Sequence, residues 1–220
     1  PSTKTLTGVW IANSASHTVA RFNADTGAAD LVISSYGQHP SRTAVVVKDG
    51  SVWVGNRGLN CQWNATCSNV VHFRKNGEFI CRADILGLVR ALAIDADGNV
   101  WASSWNQKKM HKISGTEVNT TLDPDRCVIL ASVAVSGKPY GAIGDSKGNV
   151  WIINNSNWQN SQSAGVQSLQ QIDIATNSVV GTYIPPAAVH TCYNNYGVSM
   201  DAEGRVLIGS YRCKGVFRYT

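Results

Sequence analysis

Residues 140–155 read YGAIGDSKGNVWIINN and carry the pattern that decides the fold. A short apolar run is followed by a turn with Gly148 and by a second run that contains Trp151. A fifth, late-starting copy of this unit is GVWIANS at 8–14. Each copy predicts two strands joined by a glycine turn. Three segments align with 140–155 without gaps: RTAVVVKDGSVWVGNR at 42–57, RALAIDADGNVWASSW at 90–105 and YGVSMDAEGRVLIGSY at 196–211.

Each copy continues into two further strand-like runs, so the repeat contains four strands. After residues 140–155, the third run is LQQID at 169–173 and the fourth is SVVGTYI at 178–184. Four strands in a repeat of this length are typical of a β-propeller blade. One large apolar position of the second strand recurs at intervals of 43 to 56 residues, as Trp10, Trp53, Trp101, Trp151 and Leu207.

The repeat therefore predicts an all-β protein, a β-propeller of four-stranded antiparallel blades with five recognisable blades. The first copy lacks its innermost strand and the last lacks its outermost. Residues 3–7 could supply a missing strand; otherwise the chain is part of a larger propeller. We expect a single domain, 1–220, with blades at about 1–38, 39–86, 87–136, 137–188 and 189–220.

A tryptophan and an aspartate each recur at a fixed position of the repeat, and both have a structural interpretation. The four tryptophans are expected to fill the gap between neighbouring blades, because a large ring at one fixed place suits inter-sheet packing. Asp95, Asp145 and Asp201 stand three residues before the turn glycine, where a carboxylate can accept backbone N–H groups. Calcium at these aspartates is the alternative, but it needs about six to eight oxygen ligands.

Composition and charge exclude several classes. A hydrophobic content of 43% supports a full core, which excludes a disordered chain. The longest apolar run, 128–135, is strand-sized, so we expect no membrane span. The net charge is +5, but the basic residues are scattered rather than arranged in a stripe, so we expect no nucleic-acid partner.

The cysteines favour an oxidising compartment, because none of the six forms a CxxC zinc pair. We expect pairs Cys61–Cys67 within one loop, Cys192–Cys213 across two loops of one face, and Cys81–Cys127 by elimination. The chain starts at Pro1 without an initiator methionine or a signal peptide, so we expect either a mature, processed product or a fragment of a longer protein. The predicted location is secreted, periplasmic or on the cell surface. Three sequons agree with export: Asn64, Asn119 and Asn154.

The repeat resembles the streptogramin lyase and NHL propeller families. PYGAIGDSKGNVWIIN, from Pro139, is similar to their P-x-G-I-x-x-D-x-x-G-N-x-W unit. VWIANSASHTVARFNADTG, from Val9, and LQQIDIATNSVVGTYIP, from Leu169, resemble the related YVTN repeat of surface-layer proteins. The resemblance implies the propeller fold, but such repeats host enzymes, binding proteins and scaffolds alike.

The resemblance also implies a test for lyase activity. In the lyases a catalytic histidine precedes the Gly-Ile pair at the start of the first strand, and magnesium is the cofactor. None of the comparable positions here is histidine, and His39 lies three residues before the first of them. The lyase residue set therefore has no visible counterpart, and we expect no catalytic residue and no cofactor, with calcium or magnesium as a minor alternative. The positions of this chain that are comparable with the catalytic histidine of the lyases are Arg42, Arg90, Tyr140 and Tyr196.

Propeller topology predicts a candidate binding site instead. Segments entering the first strand and leaving the second strand lie at the same end of every blade, so their side chains converge on one mouth of the central channel. The predicted set is aromatic, cationic and amide-rich, without a carboxylate at these positions. It comprises Arg42, Arg57, Arg90, Trp105, Tyr140, Asn155, Tyr196 and Tyr211. A solvated rim with arginine and tyrosine packed between blades is the structural alternative.

The sequence thus favours an extracellular binding or scaffold module whose partner is a glycan, an anionic polymer or a protein at the cell surface. Arginine suits carboxylate, sulfate or phosphate, while tryptophan and tyrosine offer stacking faces. A metal-dependent lyase and a purely structural surface-layer or filament component are the alternatives. Long polar loops around Trp63 and Trp158 offer a second place for a ligand. His17, His72 and His111 are expected at the surface of outer strands.

Overall fold

A computed structural model describes residues 8–58, 68–118, 125–155, 167–184, 195–211 and 213–219. These residues form five antiparallel sheets and contain no helix, which confirms the all-β prediction of a five-bladed propeller. In the described part of the chain there is accordingly no helix that could cross a membrane.

The five sheets follow one another along the chain. Blades 1 and 5 have three strands each, as the incomplete first and last copies predict. Blade 1 consists of β1 (Gly8–Asn13), β2 (Thr18–Asn23) and β3 (Ala29–Ser34). Blade 5 consists of β16 (Asn195–Met200), β17 (Val206–Ser210) and β18 (Gly215–Tyr219).

The three central blades have four strands each, in the order in which they occur in the chain. Blade 2 consists of β4 (Pro40–Val45), β5 (Val52–Asn56), β6 (Ser68–Phe73) and β7 (Phe79–Ile85). Blade 3 consists of β8 (Leu92–Ile94), β9 (Val100–Ser104), β10 (Lys109–Val118) and β11 (Cys127–Ala134). Blade 4 consists of β12 (Lys138–Gly144), β13 (Asn149–Asn155), β14 (Ser168–Asp173) and β15 (Ser178–Tyr183).

The recurring tryptophans lie between blades, as predicted. Trp53 and Trp101 are fully buried, and Trp10 and Trp151 are less than a tenth exposed. Each ring packs on the next blade along the chain: Trp53, for example, shares a cluster with Leu92, Val100 and Ala102 of blade 3. These aromatic contacts join the sheets, because truncating a buried ring of this size typically costs about 3–5 kcal/mol.

The aspartate clasps are also confirmed. The Asp95 carboxylate accepts the backbone N–H groups of Asp97 at 3.0 Å and of Asn99 at 2.9 Å, closing the turn whose glycine adopts φ +87°. It also accepts the indole N–H of Trp101 at 3.0 Å. Asp145 clasps its turn and its tryptophan in the same way. The clasp therefore ties the tight turn to the inter-blade ring.

The gapless alignment is wrong by one residue in blade 2. The turn between the first two strands of that blade spans 46–51, whereas the matching turn of blade 3 spans 95–99. The amide N–H of Val46 closes the longer turn at 2.9 Å, as the amide of Asp95 closes the shorter one. Val46 therefore takes the place of the clasping aspartate, and Val47 is the additional residue.

One predicted disulfide is present among the described residues. Cys81 of β7 is bonded to Cys127 of β11, with a Cα–Cα distance of 5.1 Å. The outer strands of blades 2 and 3 approach here, because Arg82 and Arg126 form an isolated parallel bridge. Cys213 is also disulfide-bonded. The predicted pair Cys61–Cys67 and the predicted partner Cys192 lie outside the described residues.

One of the three predicted sequons lies in the core of blade 4. Asn154 is fully buried, and its amide donates to Ser168 at 3.1 Å and to Gln170 at 2.8 Å. A glycan cannot be attached there without breaking this network, so the sequon is part of the core. Asn64 and Asn119 lie outside the described residues.

Candidate functional site

Two β-bulges position aromatic side chains at the predicted mouth of the propeller. In blades 4 and 5 the pairing of the first strand shifts at Tyr140 and at Tyr196, so that each tyrosine is the extra residue of its strand. Such bulges re-aim a side chain. The two rings then meet, with centroids 4.7 Å apart. Tyr211, at the end of the second strand of blade 5, continues the series at 6.0 Å from Tyr196.

Two arginines from neighbouring blades join these tyrosines. The guanidinium carbons of Arg42 and Arg90 lie 5.3 and 5.5 Å from the centroid of the Tyr140 ring. Arg42 lies opposite Gly55 in its ladder, one residue further along than the sequence alignment indicates, yet its side chain still reaches the cluster. Cation–π contacts of this kind hold a guanidinium plane in a fixed orientation.

This Arg–Tyr cluster, defined as Arg42, Arg90, Tyr140, Tyr196 and Tyr211, runs from a buried floor to an exposed rim. Tyr140 is buried, whereas Tyr196 is 45% and Tyr211 67% exposed. A hydrogen bond with Tyr140, followed by burial, raises the pKa of Tyr196, so its phenol stays protonated near neutral pH. The cluster therefore presents hydroxyl groups and ring faces to solvent.

The charges in the cluster are not neutralised from within. Arg42, Arg57 and Arg90 form no ion pair with any described residue. Burial is the main cause that lowers the pKa of Arg90, and repulsion from Arg57 and Arg42 lowers it further. The guanidinium groups stay charged, because arginine remains protonated at physiological pH. The mouth therefore carries a concentrated positive charge.

A second contact lies between blades 3 and 4 at the same end. The ammonium group of Lys138 lies 4.1 Å from the ring centroid of Trp105. Burial, followed by repulsion from Lys108, lowers the pKa of Lys138. Lys138 was missed in the sequence, although its place two residues before Tyr140, at the start of a first strand, could have indicated it.

Several buried polar atoms at this end have no hydrogen-bond partner. They include the indole nitrogen of Trp105, the Nε of Arg90 and the Oδ1 of Asn155. Asn155 lies opposite Lys138 in the blade 4 ladder and is 4% exposed. Buried polar atoms normally have a partner, so unsatisfied ones indicate either strain or a site for a bound molecule.

The structure therefore brings the eight predicted residues to one end but does not place all of them in one contact group. Tyr140 joins the arginines to the tyrosines, whereas Trp105 and Asn155 belong to the Lys138 side. Arg57 acts on the cluster through its charge, which lowers the pKa of Arg90. The long loops with Trp63 and Trp158 lie outside the described residues.

A histidine pair at this end was also missed. The rings of His17 and His39 have centroids 5.0 Å apart, and the backbone N–H of His39 donates to Nδ1 of His17 at 3.1 Å. The carbonyl of His39 in turn accepts the backbone N–H of Arg57 at 3.1 Å. The pair thus borders the mouth between blades 1 and 2, but it does not occupy the lyase position.

The described residues do not fit the metal that the lyase resemblance implies. Nowhere in the described ranges do three His, Cys, Asp or Glu side chains come close enough together to hold an ion. The Asp95 and Asp145 carboxylates, the calcium alternative, are already engaged by their turns and tryptophans. Magnesium requires an oxygen-rich site, and the Arg–Tyr cluster supplies no carboxylate.

The fold defines a class: the chain is a β-propeller similar to streptogramin lyases. Streptogramin B lyase superposes with a TM-score of 0.70 at 13% identity, over 96% of this chain and 64% of that one. Virginiamycin B lyase from Staphylococcus aureus superposes with a TM-score of 0.70 at 14% identity, and the match covers 100% of this chain and 64% of that one. Kuenenia stuttgartiensis hydrazine synthase superposes with a TM-score of 0.69 at 15% identity, and the match covers 96% of this chain and 62% of that one.

These similarities show the fold alone, because every identity is below one residue in six. This chain spans less than two thirds of the length of the three proteins. No protein-family model matches the sequence, and no curated protein matches it either. The activities of the similar proteins therefore do not transfer, and the function has to be argued from the mouth itself.

Proposed function

We propose that this protein is an extracellular binding module that holds an anionic or strongly polar ligand at the Arg–Tyr cluster without chemical turnover. One observation carries the proposal. Arg42 and Arg90 both lie over the ring of Tyr140, and neither has a carboxylate partner among the described residues. Stacking fixes the plane of each guanidinium group. Arg42 donates from one Nη to the Ser41 carbonyl at 2.7 Å, and its other N–H groups and those of Arg90 suit a carboxylate, sulfate or phosphate.

Binding without turnover follows from the chemistry of the cluster. A general base needs a pKa near the working pH, and neither arginine nor tyrosine meets that condition. The phenol of Tyr196, with its raised pKa, is even less available as a base. Among the described residues, the histidines at this end, His17 and His39, lie at the border between blades 1 and 2. A metal-dependent lyase would need donors that the described residues do not bring together.

The proposed location is secreted, periplasmic or on the cell surface. The Cys81–Cys127 disulfide supports it, because disulfides persist in oxidising compartments. The ligand would then be a glycan, an anionic polymer or an acidic segment of a protein at that surface. A purely structural role for the cluster is the outcome that the following experiment is designed to detect.

The test is the double variant Arg42→Ala/Arg90→Ala in a binding screen against glycans and anionic polymers. We expect at least about a tenfold loss of affinity, because two charge-assisted contacts are removed. The double variant Arg42→Lys/Arg90→Lys keeps the charge and should recover only part of the loss, because lysine lacks the planar fork.

Arg74→Ala is the matched control, because this exposed arginine pairs with Glu78 at the other end of its blade. It should leave binding unchanged. Unchanged binding in Arg42→Ala/Arg90→Ala, together with a lower unfolding midpoint, would show that the arginines only join blades and that the ligand, if there is one, binds elsewhere.

A further inference from the structure

The two ends of the propeller differ in charge. At the mouth end, the described connecting segments contain four arginines and lysines, Arg57, Arg90, Lys108 and Lys214, and no Asp or Glu. These segments are 14–17, 35–39, 57–58, 86–91, 105–108, 135–137, 167, 184, 211 and 213–214. The turns of the opposite end contain both signs, with carboxylates at Asp25, Asp49, Glu78, Asp95, Asp97, Asp125, Asp145, Asp201 and Glu203.

The described ion pairs of the connecting segments therefore lie at the end opposite the mouth. Arg74 and Arg205, in turns of the opposite end, form ion pairs with Glu78 and Asp201. At the mouth end some cations lie close enough to repel one another. Arg57 repels Arg90, and Lys108 repels Lys138, in each case lowering the pKa of the more buried group. Such a field attracts anions from solution.

The positive residues extend well beyond the Arg–Tyr cluster. Arg57 belongs to blade 2, Lys108 to blade 3 and Lys214 to blade 5, so these cations lie on three blades and extend from blade 2 to blade 5. A single sulfate or carboxylate can contact one or two of these residues. Only an extended anion can contact them together, and the exposed rings of Tyr196 and Tyr211 lie along its course.

We propose that the ligand is an acidic polysaccharide that lies across the mouth end from blade 2 to blade 5. The inference rests on the proposed function and adds the class of ligand. Sulfate or uronate groups would contact the cations, while sugar rings would pack on the two exposed tyrosines. Nucleic acid offers similar charge and stacking, but the Cys81–Cys127 disulfide favours a compartment where polysaccharides are the common polyanions.

The test compares long heparin, a heparin disaccharide, polygalacturonate, neutral dextran and single-stranded DNA. Affinity is measured for the whole protein at two ionic strengths. We expect long heparin or polygalacturonate to bind more tightly than the disaccharide, with a steep loss in salt. The two acidic polymers distinguish sulfate from uronate recognition. Dextran should not bind.

Variants of the peripheral lysines test this inference separately from the proposed function. The double variant Lys108→Gln/Lys214→Gln should lower the affinity for the long polymer by about 2- to 30-fold and leave the affinity for the disaccharide unchanged. Both lysines are exposed and have positive φ, and glutamine keeps a Cβ, so the backbone strain is matched. The control Lys75→Gln/Lys147→Gln, at the opposite end, should change neither affinity.

The outcomes are distinct. If the disaccharide binds at the Arg–Tyr cluster as tightly as the polymer, the proposed function holds and the extended site is wrong. If single-stranded DNA of equal charge binds more tightly than both acidic polysaccharides, the class of ligand is wrong. If no anion binds the unaltered protein, the proposed function itself fails.

Discussion

Blades 2 and 3 bury a tryptophan at the same place, but only one of the two indoles is hydrogen-bonded. Trp101 donates its N–H to Asp95 at 3.0 Å, whereas the indole nitrogen of the fully buried Trp53 has no partner. The difference follows from one position, because Val46 stands in blade 2 where Asp95 stands in blade 3.

The same substitution changes the neighbour of the tryptophan on the next strand. Lys112 lies opposite Trp101, and its ammonium group is 3.7 Å from the Asp95 carboxylate. His72 lies opposite Trp53 and stacks on it at 4.0 Å. A buried cation requires a counter-charge. Blade 3 has a buried one in Asp95 and buries a lysine. Blade 2 has only the exposed Asp49 nearby and buries an imidazole whose pKa burial lowers to about 4.

The largest expected effect is the loss of the clasp in blade 3. Asp95→Ala leaves Lys112 as a buried charge without its carboxylate and removes the acceptor for the N–H groups of Asp97, Asn99 and Trp101. We expect the free energy of unfolding to fall by about 3–5 kcal/mol, as for other broken buried pairs. Urea unfolding monitored by tryptophan fluorescence measures it.

Asp201→Ala is the control for that prediction. Asp201 clasps a similar turn in blade 5 but is partly exposed, and Leu207 replaces the tryptophan of the repeat. We expect a loss of about 1 kcal/mol there. Equal losses in the two variants would show that the turn alone, rather than the buried pair with Lys112, accounts for the stability.

The next effect depends on pH and belongs to blade 2. Burial is the main cause that lowers the His72 pKa from 6.5 to about 4; Asp49 opposes the shift and Arg74 adds to it. Between these two values the unfolded chain binds a proton that the folded protein does not. The free energy of unfolding therefore falls as the pH drops from about 6.5 to about 4, by up to about 3 kcal/mol.

His72→Gln removes that contribution, so the measured slope of unfolding free energy against pH should become shallower over this range. His111 also has a pKa lowered to about 4 by burial and by Lys109, but it is half-buried and is unchanged in both proteins. The difference between the two slopes isolates His72. Identical slopes would mean that His72 titrates normally and is not desolvated beside Trp53.

The comparison also shows what the sequence could and could not predict. Trp10, Trp53, Trp101 and Trp151 were placed correctly, because a large apolar side chain at a fixed repeat position has only the inter-blade gap to fill. The turn of blade 2 was misaligned, because its glycine and Trp53 stay in register while Val47 adds a residue before them. A pattern of apolar and turn residues does not show such an insertion.

The position of the candidate site could be predicted from the sequence, but the contacts between its side chains could not. Topology alone brings Arg42, Arg90 and Tyr140 to one end, since it fixes which strand ends share a face. It could not show that both guanidinium groups stack on the Tyr140 ring, or that Lys138 reaches Trp105. His72 was expected at the surface and is 3% exposed, because it lies opposite Trp53 on β6, a strand whose residues are all buried.

The smallest expected effect is the transfer of the clasp to blade 2. Val46→Asp places a carboxylate at the position of Asp95, where it can accept the N–H of Trp53 and face His72. Desolvation of the carboxylate opposes the new hydrogen bond, so we expect a change of less than about 1 kcal/mol at neutral pH. The His72 pKa should respond more clearly, because a nearby negative charge favours the protonated ring.

A histidine titration followed by NMR measures this response, and we expect the His72 pKa to rise from about 4 by at least about one unit in Val46→Asp. Val47→Asp is the matched control, because the sequence alignment selects Val47 whereas the strand pairing selects Val46. Val47 is 58% exposed, so a carboxylate there is screened by water and should shift His72 much less. A larger shift from Val47→Asp would mean that the gapless alignment is right, and the proposed origin of the unpaired Trp53 indole would then be wrong. Acid unfolding should follow the same order, since raising the folded-state pKa toward 6.5 removes part of the stability that is lost on acidification.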